Sequence, residues 1–271
     1  MNTKYRKILS IVFSIFMGNG LILILSTIFH DQLLAVLPDN ANFRSFVVEL
    51  ISALISIGLI FLFKKAHVLK VTGRSLATGL ICGLPIIIVY GLLLAVGLSD
   101  MPGKTIIPTA ELVCVIFRWI LIGVAEEGLF RGVVQELFTD IFGTKTRKGV
   151  ILSIVCTSVV FGLNHFQNLL AGVSLSGVLI QFATATAMGL MFGAIAYRSG
   201  RSIVPLMLIH TLIDASSFIK NGMLWGASDV ESINSLSTGA FILVPIFTGI
   251  FLFLMRRSVT DPIIEAESTA A

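Results

Sequence analysis

Charged residues are scarce in this sequence. Only 13% of its 271 residues are Asp, Glu, Lys or Arg, whereas 56% are hydrophobic and the mean hydropathy is +0.98. Soluble domains do not have this balance. The apolar runs are continuous rather than alternating, which excludes a membrane β-barrel. They recur with lengths of about 20 residues, which is what a helix needs to cross a bilayer. The sequence therefore predicts an all-α, polytopic membrane helical bundle.

Cysteine is also rare, and its spacing does not indicate a Cys/His metal centre. The three cysteines, Cys82, Cys114 and Cys156, lie in apolar stretches without CxxC spacing, so we expect small buried hydrophobic side chains. No Ala-x-Ala cleavage site follows the first apolar run, which predicts a retained helix rather than a signal peptide. The net charge of +4 comes from short basic loops and does not indicate nucleic-acid binding.

About eight apolar segments are predicted to cross the membrane. Basic residues occur at the N-terminus and in every second connection, and the positive-inside rule then places both termini in the cytoplasm. We expect an integral, multi-pass protein of a bacterial plasma membrane, in contact with lipids. The predicted spans are residues 8–29, 46–63, 76–98, 106–139, 150–167, 177–197, 203–219 and 239–255.

The chain divides into four predicted regions. Residues 1–105 hold three membrane helices, 106–220 a catalytic membrane core, and 221–257 the last loop and the final span. Residues 258–271 form a short polar tail that we expect to be cytoplasmic and disordered. Small-xxx-small spacing, which predicts close contacts between helices, occurs at Gly79/Gly83 and Gly189/Gly193.

Three charged residues, Glu126, Glu127 and Arg131, interrupt the apolar segment 106–139. A charge near the centre of a bilayer costs about 2.5–3.5 kcal/mol, so these residues must face protein or trapped water. Glu127 and Arg131 have i,i+4 spacing on one helix face, whereas Glu126 points about a quarter-turn away. We predict that the Glu127–Arg131 pair is structural and that it presents Glu126.

Two histidines lie at membrane depth, and each has a partner four residues away. The pairs are Phe161 with His165, and His210 with Asp214. A carboxylate and two histidines can activate water: Glu126 takes a proton, and a neutral imidazole orients the water or binds a metal. A protonated His210, with Asp214, can act on the other side of a scissile carbonyl by stabilising the oxyanion.

Other polar residues of the spans are interpreted as structural. Glu49, and Glu111 with Arg118, carry charge in the second and fourth segments without belonging to a motif. Gln135 and Glu136 are expected to face water at the end of a helix.

Three motifs, in this order and on three predicted helices, resemble the CPBP family of intramembrane metalloproteases. This family contains the type II, Rce1-like CAAX prenyl endopeptidases and the bacterial Abi proteins of bacteriocin processing and self-immunity. The resemblance covers residues 106–220. The motifs are Glu126-Glu127-x-x-x-Arg131, Phe161-x-x-x-His165 and His210-x-x-x-Asp214.

The resemblance implies a role for each motif residue. Glu126 would activate water with the help of His165, and His210 with Asp214 would form the oxyanion site. An aspartate in place of the family's alternative asparagine repels an oxyanion unless it is protonated, so Asp214 can instead orient His210 or help to hold a metal. The implied catalytic set is Glu126, Glu127, His165, His210 and Asp214, with Arg131 and Phe161 in support.

The resemblance leaves the cofactor open. A divalent metal such as zinc, held by Glu126, His165 and His210, and a metal-free glutamate mechanism are both compatible with the motifs. The His-Glu-x-x-His helix of zincins is absent. The implied function is an intramembrane endopeptidase with a cavity open to the cytoplasm. Its substrate would be a peptide, a leader or a CaaX-like lipidated protein.

Other functions are compatible with parts of the pattern. A non-catalytic membrane partner or bacteriocin self-immunity protein could use the same fold. Buried Glu, His and Asp also form the relays of proton-coupled transporters, but no internal repeat supports that interpretation. Aspartyl and serine intramembrane proteases fit poorly, since Gly-x-Gly-Asp is missing and Ser174 lacks a following glycine.

Overall fold

The computed structural model of the chain describes residues 3–21 and 40–269. These residues form helices and no strand, which confirms the predicted all-α membrane bundle. The end of the predicted first span, 8–29, lies outside the described residues. The α-helices are α1 Thr3–Ile15, α2 Ala41–Leu62, α3 Gly73–Ser99, α4 Thr109–Glu126, α5 Gln135–Phe142, α6 Arg147–Asn164, α7 Leu175–Arg198, α8 Val204–Lys220, α9 Asp229–Asn234, α10 Leu243–Leu254 and α11 Arg257–Thr269.

Four helices are long and apolar enough to cross a membrane: α2, α3, α6 with its extension to Leu169, and α7. The pair Thr238–Leu254 and Arg257–Glu265, bent by 47°, would make a fifth span. The described part of the chain therefore does not establish the predicted count of eight. The predicted seventh span is the 17-residue helix α8. The tail forms α11 rather than the disordered segment that its composition predicts.

Hydroxyl side chains fix the starts of several helices, because they accept hydrogen bonds from backbone N–H groups that have no partner within the helix. Thr72 and Ser75 form a reciprocal capping box at the start of α3. Ser174 Oγ accepts from the Gly177 N–H at 3.2 Å and so begins α7. The serine in the loop before α7 therefore acts as a helix cap.

Close helix contacts occur where glycine is repeated every four residues, as the spacing predicts. A Cβ atom added to Gly79 of α3 would lie 2.5 Å from Cβ of Pro205 in α8, and one added to Gly189 of α7 would lie 2.9 Å from Cβ of Ser158 in α6. The second glycine of each pair is equally close to a neighbouring helix. These contacts bring α8 and α6, which carry the two later motifs, into the bundle.

The basic loops meet around a buried carboxylate at one end of the bundle. The expectation that Gln135 and Glu136 face water is wrong, because both are buried. Glu136 accepts from both Nε and Nη2 of Arg201, and it lies 3.0 Å from Nε2 of His67 and 3.9 Å from Nζ of Lys65. These basic partners compensate for the burial of the Glu136 carboxylate.

Candidate functional site

The three motifs meet inside the bundle at a cavity of about 410 Å³. Glu126 is the last residue of α4, and His165 follows the end of α6. His210 and Asp214 lie on α8, one turn apart. All four side chains line the cavity, so the structure brings together residues that are up to 88 positions apart in the sequence.

The backbone changes from α- to π-helix at the first motif, over Glu127–Val134. Short π segments within helices often occur at functional sites. Both adjacent glutamates contact the same imidazole. Oε1 of Glu127 lies 2.7 Å from Nδ1 of His210, and Oε2 of Glu126 lies 3.4 Å from Nε2. The sequence predicted Glu126 to be independent of the neighbouring pair, but His210 links them.

Glu127 is the central residue of a buried network. Its side chain is fully buried, and Oε1 accepts a hydrogen bond from Nη1 of Arg131 at 2.8 Å, which confirms the predicted pairing. The Arg131 guanidinium lies 4.4 Å from the ring centre of Phe161 and 5.3 Å from that of Phe192. Cation–π contact compensates for the two guanidinium nitrogens that have no hydrogen-bond partner among the described residues. The network fixes the position of His210.

Glu126 differs from its neighbour in exposure, and this difference separates their roles. The side chain of Glu126 is 27% exposed, compared with 0% for Glu127. It also borders a second cavity of about 220 Å³, which Glu49 and Ser52 of α2 line. Small molecules such as water can therefore reach Glu126, whereas Glu127 is available only to protein groups.

His165 is held by its own helix. Its Nδ1 lies 2.9 Å from the carbonyl oxygen of Phe161, and its ring meets the Phe161 ring edge-on with 5.1 Å between the centres. A carbonyl oxygen only accepts, so Nδ1 donates and Nε2 is left as the acceptor. The described side chains show no direct hydrogen bond between His165 and Glu126, which meet through the cavity that both line.

Asp214 faces the cavity next to His210. Its Oδ2 lies 3.8 Å from Nε2 of His210 and has no hydrogen-bond partner among the described residues. The distance is too long for a direct hydrogen bond. Asp214 therefore adds negative charge beside His210 without sharing its proton.

The predicted metal ligands are not assembled in this arrangement. Across residues 3–21 and 40–269, no three His, Cys, Asp or Glu side chains form a group that could hold a metal ion. Both nitrogens of His210 face carboxylates, and Nδ1 of His165 faces a carbonyl. The set Glu126, His165 and His210 thus does not fit a metal as it stands here, and zinc binding stays a prediction for measurement.

Three further charged residues belong to the cavity wall. Glu49 and Arg118, interpreted as structural from the sequence, line it together with Asp229 from the loop after α8. Arg118 pairs with Asp229, while Glu111 accepts from Nδ2 of Asn42 at 2.8 Å. Glu49 and Arg118 could have been identified in the same way as Glu126, because each is a charged residue in an apolar segment. Nothing in the sequence indicated Asp229, because its contact spans 111 residues.

The cavity lies towards the loops that lack basic residues. Its wall includes Asn168, Ala171 and Val173 from one connection and residues between Asn221 and Ala240 from another. The positive-inside rule places these connections outside the cytoplasm. This position favours an opening away from the cytoplasm, opposite to the one expected from the sequence.

Comparison with known families agrees with the three motifs. Residues 108–216 match the model of a family described as type II CAAX prenyl endopeptidase Rce1-like. The matched region begins just before α4 and ends within α8, so it includes every residue of the three motifs. No curated protein matches the chain. The match over residues 108–216 confirms the resemblance predicted from the motifs, to a family whose description names an endopeptidase.

Proposed function

We propose that this protein is an intramembrane endopeptidase that hydrolyses a peptide bond with water activated by Glu126. One observation supports the proposal most directly: Glu126 and His210 lie 3.4 Å apart on the wall of a cavity inside a membrane bundle. A general base and a hydrogen-bond donor that lie side by side on a cavity wall can act together on a bound carbonyl group, the base on the attacking water and the donor on the carbonyl oxygen.

Glu126 is the base in this mechanism, because it is the motif carboxylate that water can reach. It takes a proton from a water molecule, which Nε2 of His165 orients by accepting the second hydrogen. The resulting hydroxide attacks the carbonyl carbon of the scissile bond. When the tetrahedral intermediate collapses, Glu126 returns the proton to the leaving nitrogen, and a carboxylic acid and an amine are released.

His210 stabilises the negative oxygen of the intermediate. Carboxylate oxygens only accept hydrogen bonds, so Nδ1 of His210 donates to Glu127. A protonated His210 then donates from Nε2 to the oxyanion, in a site where Glu127 fixes the ring beforehand. Asp214 stabilises the positive charge on this imidazole from 3.8 Å. Arg131 acts through Glu127 and is a positioning residue.

The substrate class follows from where the site lies. A bond can reach it only as part of a segment that enters a membrane bundle, such as a lipidated C-terminus or an apolar leader. A CaaX-like peptide with a farnesylated cysteine is the matched probe, and its unprenylated form shows whether the lipid is required.

The test compares Glu126→Gln with Glu111→Gln in purified, lipid-reconstituted protein. A fluorescence-quenched farnesylated CaaX peptide reports cleavage, and mass spectrometry locates the cut. We expect Glu126→Gln to lower kcat by about 10²- to 10⁴-fold, the usual contribution of a general base. Glu111→Gln, on the same helix, should retain wild-type activity. Equal cleavage by the two variants would contradict the role of Glu126, whereas absence of cleavage by the wild type would favour a non-catalytic membrane partner.

Metal content is measured on the same samples. Elemental analysis of wild-type protein, His165→Ala and His210→Ala distinguishes the two mechanisms that the resemblance leaves open. Peptide cleavage by a preparation without stoichiometric metal would support water activation by Glu126 and His165 alone. Near-stoichiometric zinc that both variants lose would instead require the side chains to rearrange around the ion.

A further inference from the structure

Arg118 is the one arginine or lysine among the described residues that line the large cavity. It lies on α4, two turns before Glu126, and its side chain is only 8% exposed. The other charged groups on this wall include Glu49, Glu126 and Asp214. An anionic group entering the cavity therefore has one cationic side chain, besides the histidines, to which it can bind.

The partner of Arg118 is Asp229, in the connection after α8 that covers one end of the cavity. Both carboxylate oxygens of Asp229 accept hydrogen bonds from Arg118. Oδ1 lies 3.1 Å from Nη1, and Oδ2 contacts Nη2. Asp229 is the first residue of α9, a six-residue helix in the loop after α8, and its side chain is 34% exposed. The buried arginine is thus neutralised by a carboxylate that stands at the water boundary.

The contact leaves part of the guanidinium unused. Nε of Arg118 is buried and has no hydrogen-bond partner among the described residues. A two-pronged pair is the geometry in which arginine recognises any carboxylate. A carboxylate that enters the cavity can replace Asp229 without leaving the arginine charge unpaired, and Asp229 can move into water at low cost because it is already partly exposed.

We propose that Arg118 is a carboxylate-binding residue of the substrate cavity and that Asp229 occupies its place until a ligand carboxylate displaces it. The identity of the ligand as a peptide rests on the proposed function. The carboxylate then comes either from the free C-terminus of the peptide or from an acidic side chain near the cleaved bond. In both cases, Arg118 holds the chain at a fixed distance from Glu126, which determines the bond that is cut.

The test measures binding, so that it does not depend on cleavage. A fluorescein-labelled farnesylated CaaX peptide is prepared as the free acid, as the C-terminal amide, and as an amide with glutamate at the last position. Anisotropy titrations use Glu126→Gln protein to prevent turnover. We expect the free acid to bind about tenfold more tightly than the neutral amide, as expected for a hydrogen-bonded charge pair. Arg118→Gln should abolish the difference.

Asp229→Asn gives the reciprocal result, which a purely structural ion pair would not produce. Removal of the competing carboxylate should tighten binding of the acid peptide severalfold and leave the neutral amide unchanged. Asp100→Asn is the matched control, because Asp100 forms an exposed pair with Lys220 at 2.9 Å outside this cavity. This variant should bind both peptides as the parent protein does.

The outcomes separate the two proposals. Tight binding of the glutamate-containing amide identifies an acidic side chain as the source, whereas tight binding of the free acid alone identifies the C-terminus. Equal binding of all three peptides, or an acid preference that survives Arg118→Gln, overturns the role of Arg118 even when the wild-type protein cleaves. The role of Arg118 is also overturned if the free-acid peptide does not bind Asp229→Asn protein that elutes as a folded species. Absence of cleavage by the wild-type protein counts against the proposed protease activity but not against carboxylate binding by Arg118.

Discussion

Two glutamates joined by one peptide bond occupy opposite environments in this protein. Glu126 faces a cavity, whereas Glu127 is enclosed between Arg131 and His210. A buried charge that loses its partner typically costs 3–5 kcal/mol, because the remaining charge stays out of water. Stability and activity should therefore respond differently to the same chemical change at the two positions.

We predict that Glu127→Gln destabilises the protein by about 3 kcal/mol or more, since the buried Arg131 charge is left uncompensated. Thermal unfolding in detergent, followed by tryptophan fluorescence, measures the effect. Glu126→Gln is the control and should unfold within a few degrees of the wild type while losing activity. A similar loss of stability in both variants would show that Glu126 is part of the structural network.

The sequence predicted the partners within each helix but not the partners across helices. Glu127 with Arg131, and Phe161 with His165, follow from i,i+4 spacing, and the structure confirms both contacts. The bond from Glu127 to His210 depends on how two helices, 83 residues apart in the chain, are rotated. Spacing within a sequence carries no information about that rotation.

At the scale of elements, the site depends on the close approach of α4 and α8, which carry Glu126 and His210. Gly123 of α4 permits this approach, since a Cβ atom at that position would lie 2.8 Å from the carbonyl oxygen of Met207 and 2.9 Å from Oγ1 of Thr211. A backbone carbonyl cannot turn away as a side chain can. Any side chain at position 123 must therefore separate the two helices.

Gly123→Ala should accordingly lower both stability and activity. Overpacking of this kind costs about 1–3 kcal/mol, and the displacement of α8 widens the 3.4 Å separation of Glu126 and His210. Unfolding temperature and peptide cleavage are measured together. Gly58→Ala on α2 is the matched control, because its new Cβ has no atom within 4 Å and alanine favours a helix over glycine. Equal results for the two variants would contradict the tight contact.

Helix positions were predictable where an apolar run ends at a polar cap. The predicted span 177–197 is α7, Leu175–Arg198, which Ser174 begins. The segment 106–139 was recognised as too long for a simple crossing, but its division into α4, a π segment and α5 was not predicted. Hydropathy does not distinguish an α-helix from a π-helix, and the close contacts of this part of the chain with α2, at Gly128 beside Ser56 and at Gly132 beside Ile60, are not visible in the sequence.

At the scale of the whole molecule, the apolar surface is that of a membrane protein. Large hydrophobic side chains face outwards on helices α2, α3 and α10, including Leu54, Ile81, Leu92 and Phe253, each more than half exposed. In water such a surface would drive association, whereas lipid tails cover it at no cost. The polar groups are collected in the interior cavity and at the two ends of the bundle.

The orientation of this bundle decides which compartment supplies the substrate. All basic loops lie at one end, where Arg201, His67 and Lys65 surround Glu136. The cavity lies towards the other end, beneath the loop that contains Asp229. The positive-inside rule orients short loops by their Lys and Arg content, so we predict that the cavity mouth faces away from the cytoplasm.

Single cysteines test this orientation in a background without Cys82, Cys114 and Cys156. A membrane-impermeant maleimide should label Ser235→Cys, an exposed position in the loop over the cavity, in intact cells. Lys145→Cys, in a basic loop, should react only after the membrane is permeabilised. The reverse pattern would place the mouth in the cytoplasm, where lipidated C-termini of cytosolic proteins could enter. The predicted pattern instead favours substrates whose cleaved end is exposed on the outer face, such as leaders of exported peptides.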